Sequence, residues 1–334
     1  CRGAIRYRDT GDADALVCND CKSVFSIWND IPVLLPTNQM KVKDDIQKFW
    51  GELYRAAYKE KDETLEKKLF LGLLDRLKKL FEHRQHLAVN EMPVEKITGD
   101  KVLEIGSGAG AHSALFAKHG AQMYSMDITH DRVVATAGKI DLIEHNSNNV
   151  CLQADAEKLP FPDNYFDIVY SNGVLHHSPD TLLTIKETYR VLRPSGKAVI
   201  MLYARDSFYY WFVIFLLKGV LMGNIFKHKN WLGRVTEWMS DKDQTVLNPE
   251  TKVYSKLQIN RLFGQFKQVC IRKNSFNFEQ FPIVGKFIAR LIMKKTGINE
   301  AGELIYGHGW RNESKFELFV GRYLGFALNI IARK

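Results

Sequence analysis

The stretch from Lys101 to Asp127, KVLEIGSGAGAHSALFAKHGAQMYSMD, constrains the fold of this chain more than any other. Lys101 to Ile105 is a short, largely apolar and β-branched run, and Gly106, Gly108 and Gly110 follow at alternate positions. A helical pattern then covers His112 to His119, Gly120 ends it, and a second apolar run finishes at Asp127. The order is strand, glycine turn, helix, strand: a βαβ unit. Bare backbone at a helix N-terminus lets a polar ligand come close, and a carboxylate about 20 residues on can accept hydrogen bonds from a ribose. A nucleotide-like ligand is implied. On this unit alone NAD stays open, because Gly106, Gly108 and Ala111 also fit G-x-G-x-x-A, and so does a purely structural tight turn.

The residues downstream decide between these. Val150 to Ala154 reads as a third strand, running into Asp155-Ala156-Glu157-Lys158-Leu159-Pro160-Phe161. Phe166 to Ser171 reads as a fourth, followed by Asn172-Gly173-Val174-Leu175-His176-His177, and Arg190 to Lys197 precedes a fifth over Ala198 to Tyr203. With these motifs in order, the segment from about 95 to 204 resembles the class I S-adenosylmethionine-dependent methyltransferases. It is most similar to their small-molecule branch, which includes the ubiquinone and menaquinone methylases. The resemblance implies an α/β fold, Rossmann-like, with a seven-stranded sheet whose last strand is antiparallel. It also implies S-adenosyl-L-methionine as cofactor. Carried over residue by residue, Glu104 and the loop Gly106, Ser107, Gly108 and Gly110 would hold the methionine portion, and Asp127 with Ile128 the ribose. Asp155 and Ala156 would meet the adenine edge, and Asn172 the methionine end.

With 334 residues, 46% of them apolar, the chain can bury a large core, and its length suggests about two domains. The net charge of +9 is uneven: residues 205–334 hold 21 basic and 10 acidic side chains, net +11, and residues 1–204 are net −2. Such asymmetry suits an anionic surface or substrate, and it equally suits solubility charge around an apolar segment. Five cysteines without a secretory leader point to a cytoplasmic protein.

Cys18-Asn19-Asp20-Cys21 lies between strand-like runs, with Cys1 before it. Residues 1–36 resemble the zinc-ribbon leader in front of many bacterial methyltransferases. Cys1, Cys18 and Cys21 are then three of the four ligands that a tetrahedral zinc site uses. Because the chain does not open with Met, the fourth is expected upstream in the full-length protein. The implied organisation is a zinc-ribbon remnant over 1–38, leading helices over the cofactor at 39–98, the cofactor core at 99–204, and helical insertions with the last two strands at 205–334. In the leading segment Phe49, Trp50, Tyr54 and Tyr58 precede an amphipathic stripe of Leu65, Leu69, Leu73, Leu77 and Leu80, with Tyr54 and Tyr58 as candidates for closing over the ligand.

The C-terminal third is the least ordinary part. Phe208 to Phe226 would make a 19-residue aromatic and aliphatic helix, about bilayer length. Lys218 in its middle, and a fold that still needs two strands, favour a lid lying on the enzyme or in the membrane interface over a membrane span. Ser255 caps a helix through Phe263, Lys267 to Ile271 is strand six and Phe326 to Ala332 strand seven. Between them Phe287 to Lys295 is basic and amphipathic, consistent with peripheral contact with anionic lipid.

The implied chemistry is in-line displacement at a sulfonium methyl, which asks mainly for alignment. An acceptor hydroxyl or phenol also benefits from a base, for which His177, and after it His176, are the candidates. The Asn/Asp-Pro-Pro-Tyr element used on planar amines is absent; Ser171-Asn172-Gly173-Val174 stands there. Amino-adenine and glutamine acceptors are thereby disfavoured, while the aromatic insertion and the basic tail point to a small, apolar or lipid-linked acceptor, with nucleic acid not expected as a partner. The rival readings are an RNA or protein methyltransferase guided by the zinc ribbon, a non-enzymatic scaffold on a nucleotide fold, and the NAD enzyme.

Overall fold

A computed structural model describes residues 5–9, 14–36, 39–143, 148–240 and 245–334. Its strands, in chain order, are β1 Ile5–Asp9, β2 Asp14–Cys18, β3 Val24–Trp28, β4 Ile31–Leu34, β5 Lys101–Ile105, β6 Gln122–Asp127, β7 Val150–Ala154 and β8 Phe166–Asn172. They continue with β9 Leu192–Tyr203, β10 Trp238–Ser240, β11 Thr245–Leu247, β12 Gln268–Asn274, β13 Ile298–Asn299, β14 Trp310–Arg311 and β15 Ala327–Arg333. The main sheet runs β1-β2-β3-β4-β7-β6-β5-β8-β9-β15-β12. From β4 to β9 neighbouring strands are parallel, and β15 is antiparallel to both β9 and β12.

The α/β class, the Rossmann-like order and the antiparallel last strand are as the sequence implied; the strand count is not. Seven strands form the expected core, and four more extend it to eleven. The leader does not stand apart. Val33 and Leu34 of β4 pair in parallel with Gln153 and Ala154 of β7, so its meander covers an edge that would otherwise expose unpaired backbone groups. Cys18 is buried there and Cys21 exposed, and Cys1 lies outside the described residues. Among the described residues no group of three or more His, Cys, Asp or Glu is placed to hold a metal ion. Two cysteines are half of a tetrahedral set and do not by themselves fit zinc.

Why the central strands form is plain from their two-sided burial. Val102, Ile168, Tyr170 and Val199 face one apolar cluster, while Leu103, Ile105, Val169, Ala198 and Ile200 face the other. Successive side chains of a strand point to opposite faces, so a strand covered on both sides reads as continuously apolar. The helix Lys67–His83 closes the first face with Phe70, Leu73, Leu74, Leu77, Leu80 and Phe81. Leu69, expected in its buried stripe, faces solvent instead. Ser255 caps the helix Lys256–Leu262 through a reciprocal capping box with Gln258.

The segment expected as a 19-residue helix is shorter and wider. Tyr209–Leu221 is a 13-residue helix of the i to i+5 type, as in Met222 N–H donating to Leu217 O at 3.0 Å. Gly223, at φ +75°, ends the run, and the single turn Asn224–Lys227 follows. Among the described residues no helix is long and apolar enough to cross a membrane.

Candidate active site

The strand order reverses between β5 and β8, where ligands collect beyond the carboxyl ends of an open parallel sheet. A cavity of about 270 Å³ opens there. Its floor is the glycine loop. Gly106, at φ +78°, has no room for a side chain: a Cβ would stand 2.3 Å from a Val174 methyl. The loop thus brings bare backbone against the cavity at the start of the helix Ala111–Lys118.

Of the residues singled out from sequence, Gly106, Ser107, Gly108, Asp127, Ile128, Asp155, Ala156, Asn172 and His177 all line this cavity. Asp127 is buried, accepting from Thr129 N–H at 2.9 Å through Oδ1 and from Gly108 N–H at 3.1 Å through Oδ2. Burial pushes its pKa up, against the opposing pull of Arg132 and these amides. Each carboxylate oxygen keeps a second lone pair, so a ribose diol can still be received. Glu104 and Gly110 lie behind the wall. Glu104 is fully buried, takes the Ser113 hydroxyl as a donor and stands 3.6 Å from His112 Nδ1, so it reaches the cavity only through His112, which lines it. Gly110, at φ +84°, lies where a Cβ would meet the Thr136 backbone at 2.6 Å.

The opposite wall comes from elements that the motifs did not reveal. Helix α1 (Lys41–Ala57) lays Lys43, Ile46, Trp50 and Leu53 over the cavity, and Leu304 and Ile305 join from the C-terminal third. Tyr58 also lines it, donating to Ile305 O at 2.8 Å, whereas Tyr54 is buried away from it with its hydroxyl on Asp62 at 3.1 Å. The Lys43 ammonium pairs with both Asp155 and Glu157, the latter at 2.6 Å, and all three side chains are buried. Burial alone would lower the Lys43 pKa, but the hydrogen bonds it donates to the two acids win and raise it. Burial alone would likewise raise that of Glu157, and the bonds from Lys43, the Ser178 hydroxyl and Asp180 N–H bring it down. No sequence pattern marks Lys43; of the two tyrosines expected to close over the ligand, Tyr58 lines the cavity and Tyr54 does not. Tyr209–Leu221 is not part of it, so the lid expected from that segment is supplied by α1 instead.

His177 and His176 part company. His176 is sealed in, its ring 3.8 Å from that of Tyr203, and burial drives its pKa well below the usual histidine range. His177 borders the cavity, edge-on to Trp50 at 5.1 Å. Its Nδ1 lies 2.8 Å from Glu250 O and its Nε2 3.3 Å from the Glu237 carboxylate. Glu237 in turn accepts from the Tyr203 hydroxyl at 2.6 Å and from the Asn248 amide at 2.5 Å. Burial opposes ionisation of Glu237, but His177 and these donors hold its pKa below the ordinary value. Glu237, Asn248 and Glu250 lie in the insertion after β9, far from any motif.

Glycine loop, acids at the ends of β6 and β7 and a cavity at the switch point define a Rossmann-like transferase site. Residues 103–200 match the family described as "Methyltransferase domain", and the chain carries a class I S-adenosylmethionine-dependent methyltransferase domain. A ubiquinone/menaquinone biosynthesis C-methyltransferase of Neisseria meningitidis serogroup C is 34% identical over 124 residues, 36% of this chain and 49% of that protein. A 27-O-demethylrifamycin SV methyltransferase of Amycolatopsis mediterranei is 30% identical over 159 residues, 47% and 53% of the two chains. The chain spans about half the length of these curated relatives. Among solved structures, a phosphoethanolamine N-methyltransferase 2 of Haemonchus contortus is similar with a TM-score of 0.48 at 17% identity, over 88% of this chain and 60% of that one.

Proposed function

We propose that this chain methylates a small, apolar or lipid-linked acceptor, in the cytoplasm at the inner face of the membrane. Bound S-adenosyl-L-methionine supplies a sulfonium methyl already activated for in-line displacement, so the protein's task is mainly approximation. Gly106, Ser107 and Gly108 offer backbone to the methionine end with Asn172, while Glu104 and Gly110 fix the loop from behind. Asp127 and Ile128 receive the ribose, and Asp155 and Ala156 the adenine edge. Zinc enters this reading only for a chain that adds a fourth ligand to Cys1, Cys18 and Cys21.

The observation that carries the acceptor class is the makeup of the cavity wall. Beyond the cofactor's polar contacts it offers Ile46, Trp50, Leu53, Leu304 and Ile305. The similar proteins are named for ubiquinone/menaquinone biosynthesis and for 27-O-demethylrifamycin SV, which supports a small-molecule acceptor. An exocyclic adenine amine or a glutamine amide is not the expected acceptor, since Ser171-Asn172-Gly173-Val174 stands where an Asn/Asp-Pro-Pro-Tyr element would hold a planar amine.

His177 is the proposed proton acceptor. The Glu237 carboxylate, 3.3 Å from Nε2, is placed to stabilise an imidazolium formed here. The test is transfer of labelled methyl from S-adenosyl-L-methionine to fractionated extracts. Label in the lipid and quinone fraction supports the reading. Label confined to polar metabolites or to RNA overturns the acceptor class.

A further inference from the structure

We infer that the C-terminal third presents a docking surface for an anionic lipid bilayer, built by Tyr209–Leu221, Val284–Thr296 and Lys315–Leu324. The inference deepens the proposed lipid-linked acceptor, on which its purpose rests, by locating where the bilayer meets the protein.

A continuous aromatic seam runs from Tyr209–Leu221 to Lys315–Leu324 through Phe281 and Phe278, in the segment that leads into Val284–Thr296. Ring centroids step from Phe212 to Phe208 at 4.9 Å, to Phe281 at 4.5 Å, to Phe278 at 5.9 Å and to Phe316 at 6.0 Å. Around it large apolar side chains stand in solvent: Phe212, Ile283, Phe287, Leu291, Phe316 and Phe319. Ile283, in the turn before Val284–Thr296, is 93% exposed and Phe287 65%. Single exposed apolar residues are ordinary, but several on adjoining helices mark an interaction surface.

Charge identifies what covers it. Tyr209–Leu221 and Val284–Thr296 contain no Asp or Glu, and the one acid of Lys315–Leu324, Glu317, is fully buried against Arg311. On Val284–Thr296 the buried side is Gly285 and Ala289, and the outward side interleaves Phe287 and Leu291 with exposed Lys286, Arg290, Lys294 and Lys295. A protein core would not accept four cations, and water alone would not favour the phenylalanine. A headgroup layer satisfies both, with apolar side chains entering the acyl boundary and cations meeting anionic phosphates. The surface also rises from the working end of the molecule. Tyr209–Leu221 departs from the carboxyl end of β9, the same end of the sheet as the cavity, and Leu304 and Ile305 of the cavity wall follow Val284–Thr296 in the chain.

Flotation of the full chain with vesicles, with no acceptor present, tests this. The chain is expected to float with vesicles of phosphatidylcholine containing about one-third phosphatidylglycerol, to stay behind with phosphatidylcholine alone, and to be released by salt. Replacing Lys286, Arg290 and Lys294 by Gln together should weaken partitioning about a hundredfold. The pair Ile283→Asp and Phe287→Asp should abolish it. Both variants should keep the circular dichroism and the S-adenosylhomocysteine affinity of the parent, which separates this claim from that of the cofactor site. Failure of the parent to float, equal flotation with neutral vesicles, or variants that float like the parent would overturn it. So would a dimer that these substitutions dissolve while flotation persists.

Discussion

Apolar side chains serve opposite ends in two regions of this molecule. Val102, Leu103 and Ile105 in β5 are sealed between helices on both faces of the sheet, whereas Trp211, Phe212, Leu221 and Phe226 look outward. Their hydropathy is alike; the difference is cover. A parallel strand comes with crossover helices on each side, so topology guarantees its burial. The aromatic helix after β9 has one packed side, Tyr210 and Ile214 against Val235, while Trp211, Phe212 and Leu216 stand exposed. The cofactor region is therefore intolerant of shape change, and the outer region is free to meet something else.

Four substitutions break or sharpen that contrast. Gly106→Ala should do most damage, because its Cβ overlaps Val174 and the backbone is left-handed; a loss of about 3 kcal/mol in urea unfolding is expected. Adding Val174→Ala should return part of it, and a neutral single variant would refute the tight loop. Lys43→Met comes next, leaving Asp155 and Glu157 buried without their cation at a cost of about 3 kcal/mol.

The same clasp fixes a pH dependence. Glu157 has a folded pKa below its ordinary 4.5, so its contribution is full above that value and is lost as pH falls through the folded one. Lys43 has a folded pKa above its ordinary 10.5, so its contribution is full below that value and is lost as pH rises through the folded one. Acid unfolding of the parent should steepen below the glutamate range, and Lys43→Met should remove that step. An unchanged acid profile would contradict the clasp.

His177→Gln should lower kcat about a hundredfold and leave S-adenosylhomocysteine affinity intact, with the acid limb of the pH-rate profile flattened. An unaltered profile would leave His177 a packing residue. The smallest effect belongs to the outer region. Phe226→Ser, at a position 79% exposed, should change stability by less than about 0.5 kcal/mol. A larger loss would mean that this surface is part of the core after all.

Local chemistry explains what could be read in advance. The glycine spacing, the acids at the ends of β6 and β7 and the helix cap at Ser255 are written within a few residues of where they stand, and each was legible. Lys43 was not, since its partners Asp155 and Glu157 lie over a hundred residues away and a lysine in a polar helix carries no mark. Glu237 at His177 was hidden in the same way. That the leader's strands extend the main sheet was not foreseen, because Val33 and Leu34 add to it by backbone pairing, which leaves little trace in side-chain pattern. Glu104 shows the converse limit: its place at a strand end was right, yet the alternation that buries Leu103 and Ile105 on one face turns Glu104 to the other, beneath Ser113 and His112.

The central claim is the cofactor site, and calorimetric titration with S-adenosylhomocysteine, with NADH in parallel, tests it most directly. S-adenosylhomocysteine should bind, NADH should not, and Asp127→Ala should weaken the former about a hundredfold, since the buried carboxylate proposed to accept the ribose hydroxyls is removed. Binding of NADH in its place, or S-adenosylhomocysteine affinity unchanged in Asp127→Ala, would contradict the account.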